Sequence, residues 1–214
     1  VESGTAETST TAVNGSNGVN GTTPIEQIEV LNPANGDVVR SIQVDTPETI
    51  AATVARVRAN QAEWEAMGIE GRYHWLGKLR DWILDNGEQI ADTMQAETGK
   101  VRGDIFMDLG YVADLINFYG TKAEKFIGEE TVRPHSPLVA SKKLLIRYRP
   151  HPVVGIISPW NFPLAMGLGD SIPALQAGAA VVVKPSEFTP LSLIEVIKAW
   201  KEEIGAPDVF DCVL

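Results

Sequence analysis

Two short stretches carry the side chains best suited to chemistry. The first is Pro159-Trp160-Asn161-Phe162-Pro163, directly after an apolar, β-branched run at 153–158. Two prolines restrict the backbone there, and an uncharged amide lies between aromatics at the carboxyl end of an expected strand. A preorganised N–H donor at Asn161 can stabilise a developing oxyanion. The alternative is a stiff strand-to-helix turn in which the amide fills a backbone niche. The second stretch is Val181-Val182-Val183-Lys184-Pro185-Ser186-Glu187. Lys184 and Glu187 can hydrogen-bond the vicinal hydroxyls of a ribose, and an acid beside a 2′-hydroxyl favours NAD over a 2′-phosphate. The competing reading is a solvated polar turn.

The usual glycine fingerprint of a dinucleotide site fails. Gly167-Leu168-Gly169 starts the pattern, but Ile172 stands where its third glycine belongs. A cofactor reading must therefore rest on the two stretches above.

The elements that would position them follow from periodicity. Residues 26–31 and 38–44 read as a hairpin around Pro33, Asn35 and Gly36. Thr46-Pro47-Glu48 opens a helix with a cap residue, a proline at the first position and an acid in the first turn. Ile50, Val54, Val57 and Trp64 keep helical spacing along it. Further helices are predicted over 71–85, over 88–97 with a left-handed stop at Gly99, and over 101–119. From residue 139 strands take over. Leu144 to Arg149 alternate as in a strand with one packed face, and 153–158 reads as a strand buried on both faces of a parallel sheet. A helix over 163–177, a buried strand over 180–184, a helix over 189–203 and an apolar run over 209–214 complete a βαβαβ order. The fold class is α/β: the first half of a doubly wound, Rossmann-like nucleotide-binding domain, broken off after three strands. The expected organisation is a disordered Ser/Thr/Asn/Gly leader at 1–24, a hairpin and helical region at 25–138, a bridging strand at 139–151, and the truncated nucleotide-binding domain at 152–214.

Composition narrows the class without choosing it. The 214 residues carry 28 acidic and 18 basic side chains, a net charge of −10, which argues against a nucleic-acid backbone or an anionic membrane as partner. No apolar run is long enough to span a bilayer. His74, His135 and His151 lack metal-ligand spacing, so no metal is expected. The single Cys212 excludes an internal disulfide and fits a reducing, cytoplasmic compartment. It lies in the apolar run 209–214 and reads as a core-strand cysteine rather than a nucleophile.

"PWNFP" followed by "PALQAGAAVVVKPSEFTPLS", with "AETGK" (residues 96–100) upstream, resembles the NAD(P)-dependent aldehyde dehydrogenase superfamily from about Ile25 to Leu214. The resemblance implies that Asn161 stabilises the oxyanion. It further implies that Ile157, Ser158, Pro159 and Trp160 line the cofactor cleft and that Lys184, Ser186 and Glu187 hold the adenosine ribose. It implies NAD, or NADP, as cofactor and a small aldehyde as substrate. The 144–149 strand is similar to the family's assembly segment, which implies a homo-oligomer, dimer or tetramer, for the complete protein. The stretch around Asp170-Ser171-Ile172-Pro173 is similar to bacterial succinate-semialdehyde dehydrogenases. Three features with which family members continue are missing: a glycine-containing cofactor loop, an "ELGGK"-type glutamate and a nucleophilic cysteine after "GQ". The 214 residues alone are therefore expected to be inactive. The rival expectation is a noncatalytic module for assembly or weak nucleotide binding. A relative that reduces acyl phosphates or forms thioesters would share the same fold.

Overall fold

The switch from helical to strand periodicity near residue 139 separates two kinds of architecture in the computed structural model. The structure describes residues 26–214; the predicted leader at 1–24 lies outside them. Strands β1 (Gln27–Leu31) and β2 (Val38–Gln43) pair antiparallel with Gln27 opposite Gln43. Their turn closes on Asn32, whose side chain accepts from the Ala34 amide at 2.9 Å, and Gly36 takes the left-handed φ of +77° that a side chain would resist.

Helix α1 (Pro47–Ala66) starts as the sequence predicts, with the Thr46 hydroxyl accepting from the Thr49 amide at 3.3 Å. Its buried Val57 and Trp64 face the parallel sheet and helix α5, and the Trp64 indole donates to the Leu175 carbonyl at 2.9 Å. Helix α2 (Gly68–Asp85) begins three residues before the predicted start. Helix α3 (Gly87–Thr98) ends at Gly99 with a φ of +70°. Helix α4 (Arg102–Ile127) continues a further eight residues past the predicted end at 119. Gly120 permits this packing: a Cβ there would fall 2.1 Å from ring atoms of Tyr73 on α2.

The nucleotide-type unit has the predicted order: β5 (Val153–Ile157), α5 (Pro163–Ala177), β6 (Ala180–Lys184), α6 (Leu191–Glu202) and β7 (Phe210–Cys212). The three strands are parallel, with β6 central. Ala180 through Val183 are buried, as a central strand requires. Gly167, half of the failed glycine fingerprint, is a packing residue: a Cβ there would lie 2.3 Å from Leu193 of α6. Arg56 of α1 pairs with Asp208 and Asp211, joining the first helix to the β7 segment.

Two expectations need correction. The strand at 153–158 is not buried on both faces. β5 is an edge strand, its Gly155 is exposed, and Ile157 is 82% exposed. The alternating strand at 144–149 shrinks to β4 (Leu144–Ile146) with no clean packed face. Among the described residues it pairs with the short β3 (Glu130–Val132) alone, and Ile146 and Tyr148 are exposed.

Candidate active site

Parallel pairing of β5 with β6 places Ile157 opposite Lys184, so the two turns singled out in the sequence leave the same edge of the sheet side by side. The Ser158 amide donates to the Lys184 carbonyl at 3.0 Å, extending the ladder by one step. Beyond it, the Thr189 hydroxyl donates to the Trp160 carbonyl at 2.9 Å and ties one turn to the other. Pro163 then starts α5 at its first position, which fixes where the chain leaves Asn161.

Around this edge the named residues divide by exposure. Asn161, Pro159 and Ile157 are exposed, and Trp160 is 61% exposed. Ser158 is buried, with a hydroxyl that has no hydrogen-bond partner among the described residues. Ser186 is buried and accepts from the Phe188 amide at 3.3 Å, which shapes the second turn. The Lys184 ammonium donates to the Pro185 carbonyl at 3.0 Å and to the Glu187 carboxylate at 3.2 Å. The backbone amide of Glu187, followed by Lys184, holds the Glu187 carboxyl below its usual range, so it is an anionic acceptor at neutral pH. A half-buried cation and an exposed anion on one turn, and an exposed amide on the other, thus follow the carboxyl ends of adjacent parallel strands, where open α/β sheets bind ligands.

A cavity of about 700 Å³ opens beside Asn161. Trp160, Asn161, Phe188 and Thr189 form one wall, the hairpin residues Leu31 and Pro33 another, and Glu97 and Lys100 close it. Glu97, the acid of the "AETGK" block, has a definite structural task. Its carboxylate accepts from the Leu191 amide at 2.6 Å, from the Ser192 amide at 3.0 Å and from the Ser192 hydroxyl. Burial raises its pKa, and those hydrogen bonds partly offset the rise. The sequence held a signal for this contact. Glu97 continues the buried stripe Ile90, Ala91 and Met94 of α3, where a charged residue must find partners.

Cys212 is half-buried on β7, with β6 between it and the Asn161 strand. Burial, reinforced by Asp211, pushes its thiol up to about 12, the reverse of an activated nucleophile. Among the described residues no group of His, Cys, Asp or Glu side chains is arranged to hold a metal ion, and no helix is long and apolar enough to cross a membrane.

Fold and site define a partial dinucleotide-type α/β unit with an exposed amide at its strand edge. The aldehyde dehydrogenase family model matches residues 19–214, and the chain belongs to that family. Over 167 residues it is 36% identical to a Mycolicibacterium smegmatis protein provisionally named succinate-semialdehyde dehydrogenase (NADP(+)), covering 78% of this chain and 31% of that one. The mitochondrial succinate-semialdehyde dehydrogenase of Oryza sativa subsp. japonica is 34% identical over the same shares. Among solved structures, lactaldehyde dehydrogenase from Escherichia coli superposes with a TM-score of 0.82 at 31% identity, over 88% of this chain and 39% of that one. PnpE from Pseudomonas sp. WBC-3 gives 0.81 at 30% identity. The chain thus spans about a third of the length of these relatives.

Proposed function

We propose that the chain supplies the oxyanion donor and the adenosine-ribose subsite of an enzyme that oxidises an aldehyde to a carboxylic acid with NAD(P)+ through a cysteine thioester. The observation that carries this reading is that the turn bearing exposed Asn161 and the turn bearing the Lys184–Glu187 pair follow neighbouring parallel strand ends. The residues present fit a dinucleotide. Glu187 is an ionised acceptor for ribose hydroxyls, Lys184 a donor beside it, and Ser158, Pro159, Trp160 and Ile157 line the approach. A nicotinamide cofactor held there would supply the hydride acceptor. The Asn161 amide donates to the oxygen of the aldehyde as negative charge develops on it. Ser186 shapes the turn that carries Glu187.

The nucleophilic cysteine and the glutamate that activates water have no counterpart in these 214 residues, since the only cysteine is the raised-pKa Cys212. The succinate-semialdehyde names of the most similar relatives favour a semialdehyde as the substrate. We read the cofactor as NAD on the strength of Glu187, with NADP the alternative because several relatives bear it in their names. The compartment is read as cytoplasmic from the lone half-buried cysteine, and the β3–β4 ribbon as the segment used in homo-oligomer assembly.

Equilibrium binding of NAD+, NADP+ and ADP-ribose to the chain and to Glu187→Ala tests the ribose assignment. The expected result is weak binding of NAD+ and ADP-ribose that Glu187→Ala abolishes. Binding that is indifferent to Glu187 and Lys184 would remove the assignment.

A further inference from the structure

Two buried charges flank the turn that presents Asn161, and the proposed mechanism uses neither. Lys100 follows the left-handed Gly99, and its ammonium lies 3.6 Å from the centroid of the Phe162 ring, with no hydrogen-bond partner among the described residues and almost no solvent contact. Asp108, on α4, is 4% exposed, and both of its carboxylate oxygens lack hydrogen-bond partners among the described residues. The charges facing it are Lys100 and the positive end of α5: the Ala165 amide is close enough to favour the anion without being aligned as a hydrogen bond. Helix α5 has no side-chain cap of its own, because Phe162 occupies the cap position. Asp108 therefore supplies, from a neighbouring helix, the negative charge that the first turn of α5 lacks.

We propose that Lys100 and Asp108 are positioning residues that lock the Asn161 turn, the ammonium through the face of the Phe162 ring and the carboxylate through the first turn of α5. Phe162 follows Asn161 directly, so a fixed ring and a fixed helix start restrain the backbone from which the amide projects. Buried charges without hydrogen bonds are costly, and an apolar pair of similar volume would pack at least as well. Stability alone does not account for them. The attraction of the ammonium to an aromatic face is directional, and the helix-end charge acts only within the first turn, so both contacts are suited to holding geometry. An anion-binding role for Lys100 is disfavoured, because Asp108 would repel a second anion.

This inference rests on the oxyanion reading only for its purpose; the contacts stand without it. The test is hydrogen exchange by mass spectrometry on the full chain, comparing peptides across 158–166 with peptides across 191–202. In Lys100→Met and in Asp108→Asn, exchange across 158–166 is expected to rise about tenfold or more while 191–202 stays at the parent rate. Lys100→Arg, which keeps the cation, is expected to restore most of the protection. The double variant Lys100→Met with Asp108→Asn leaves no unpaired buried charge. It is expected to fold and still to exchange fast across 158–166. An unchanged rate at 158–166 in the double variant, or an equal rise across the whole chain in the single ones, overturns the proposal. Exchange reports where the turn sits and not what Asn161 does, so failure of the oxyanion reading would show in ligand and hydride assays and leave this result intact.

Discussion

The Glu97 carboxylate accepts from both the amide and the hydroxyl of Ser192, so the last turn of α3 caps the first turn of α6. This contact joins the "AETGK" block to the segment that follows "KPSEF", two parts of the chain almost a hundred residues apart. Glu97→Ala would leave the Leu191 and Ser192 amides buried without an acceptor. The expected cost is about 3 kcal/mol, with Glu97→Gln losing roughly half as much because one oxygen remains. Urea unfolding of the three proteins measures it. A loss under about 0.5 kcal/mol for Glu97→Ala would mean that the cap adds little.

Asp108 sets an acid-side pH dependence. Burial raises its pKa, against the opposing pull of Lys100 and the Ala165 amide, so the folded chain keeps this proton after the unfolded chain has released it. The stability it contributes is complete below the ordinary aspartate value of about 4 and is lost as pH rises through the folded value. Glu97 shifts in the same direction through burial. Denaturation midpoints between pH 4 and neutrality should therefore fall less steeply in Asp108→Asn than in the parent. A slope that does not change would show that Asp108 titrates normally.

The thiol of Cys212, held near 12, is about one part in ten thousand thiolate at pH 8. Iodoacetamide is expected to label it slowly in the folded chain and fully in denaturant, as intact mass would report. Rapid native labelling would contradict the burial of the thiol.

Ile157, Trp160, Phe162 and Phe188 leave large apolar side chains exposed around one sheet edge, and β5 offers an unpaired strand beside them. Such a surface drives association. Sedimentation velocity is expected to show concentration-dependent oligomers that Ile157→Lys reduces. A monodisperse monomer at high concentration would argue against an adhesive edge and favour the noncatalytic-module reading.

The elements were legible wherever one periodicity dominated. The Ile105, Leu109, Val112 and Ile116 stripe marked α4, and Thr46-Pro47 marked the start of α1. Adjacency of the Asn161 and Lys184 turns was also legible, because a βαβ order implies parallel neighbours whose carboxyl ends coincide. Burial of individual strands was not. The run 153–158 looks like a central strand, but its position at an edge depends on which strands pair beside it, and that is not a property of the run. The far end of α4 was missed because Gly120 reads as a stop, while in the fold it admits the Tyr73 ring. Lys100 and Asp108 escaped notice as a pair because each sits in an ordinary polar context and only tertiary packing isolates both from water. Asp108 did leave a trace: it lies on the same face of α4 as the buried Ile105 and Leu109.

In the proposed function this chain carries the oxyanion donor and ribose subsite of an aldehyde dehydrogenase but no nucleophile. Absorbance at 340 nm with NAD+ and a panel of aldehydes, including a semialdehyde, tests it most directly. The expected result is no aldehyde-dependent NADH from the purified 214 residues. NADH formation that survives Cys212→Ala and disappears with Asn161→Ala would contradict the claim, because chemistry would then proceed without the thiolate that the account requires.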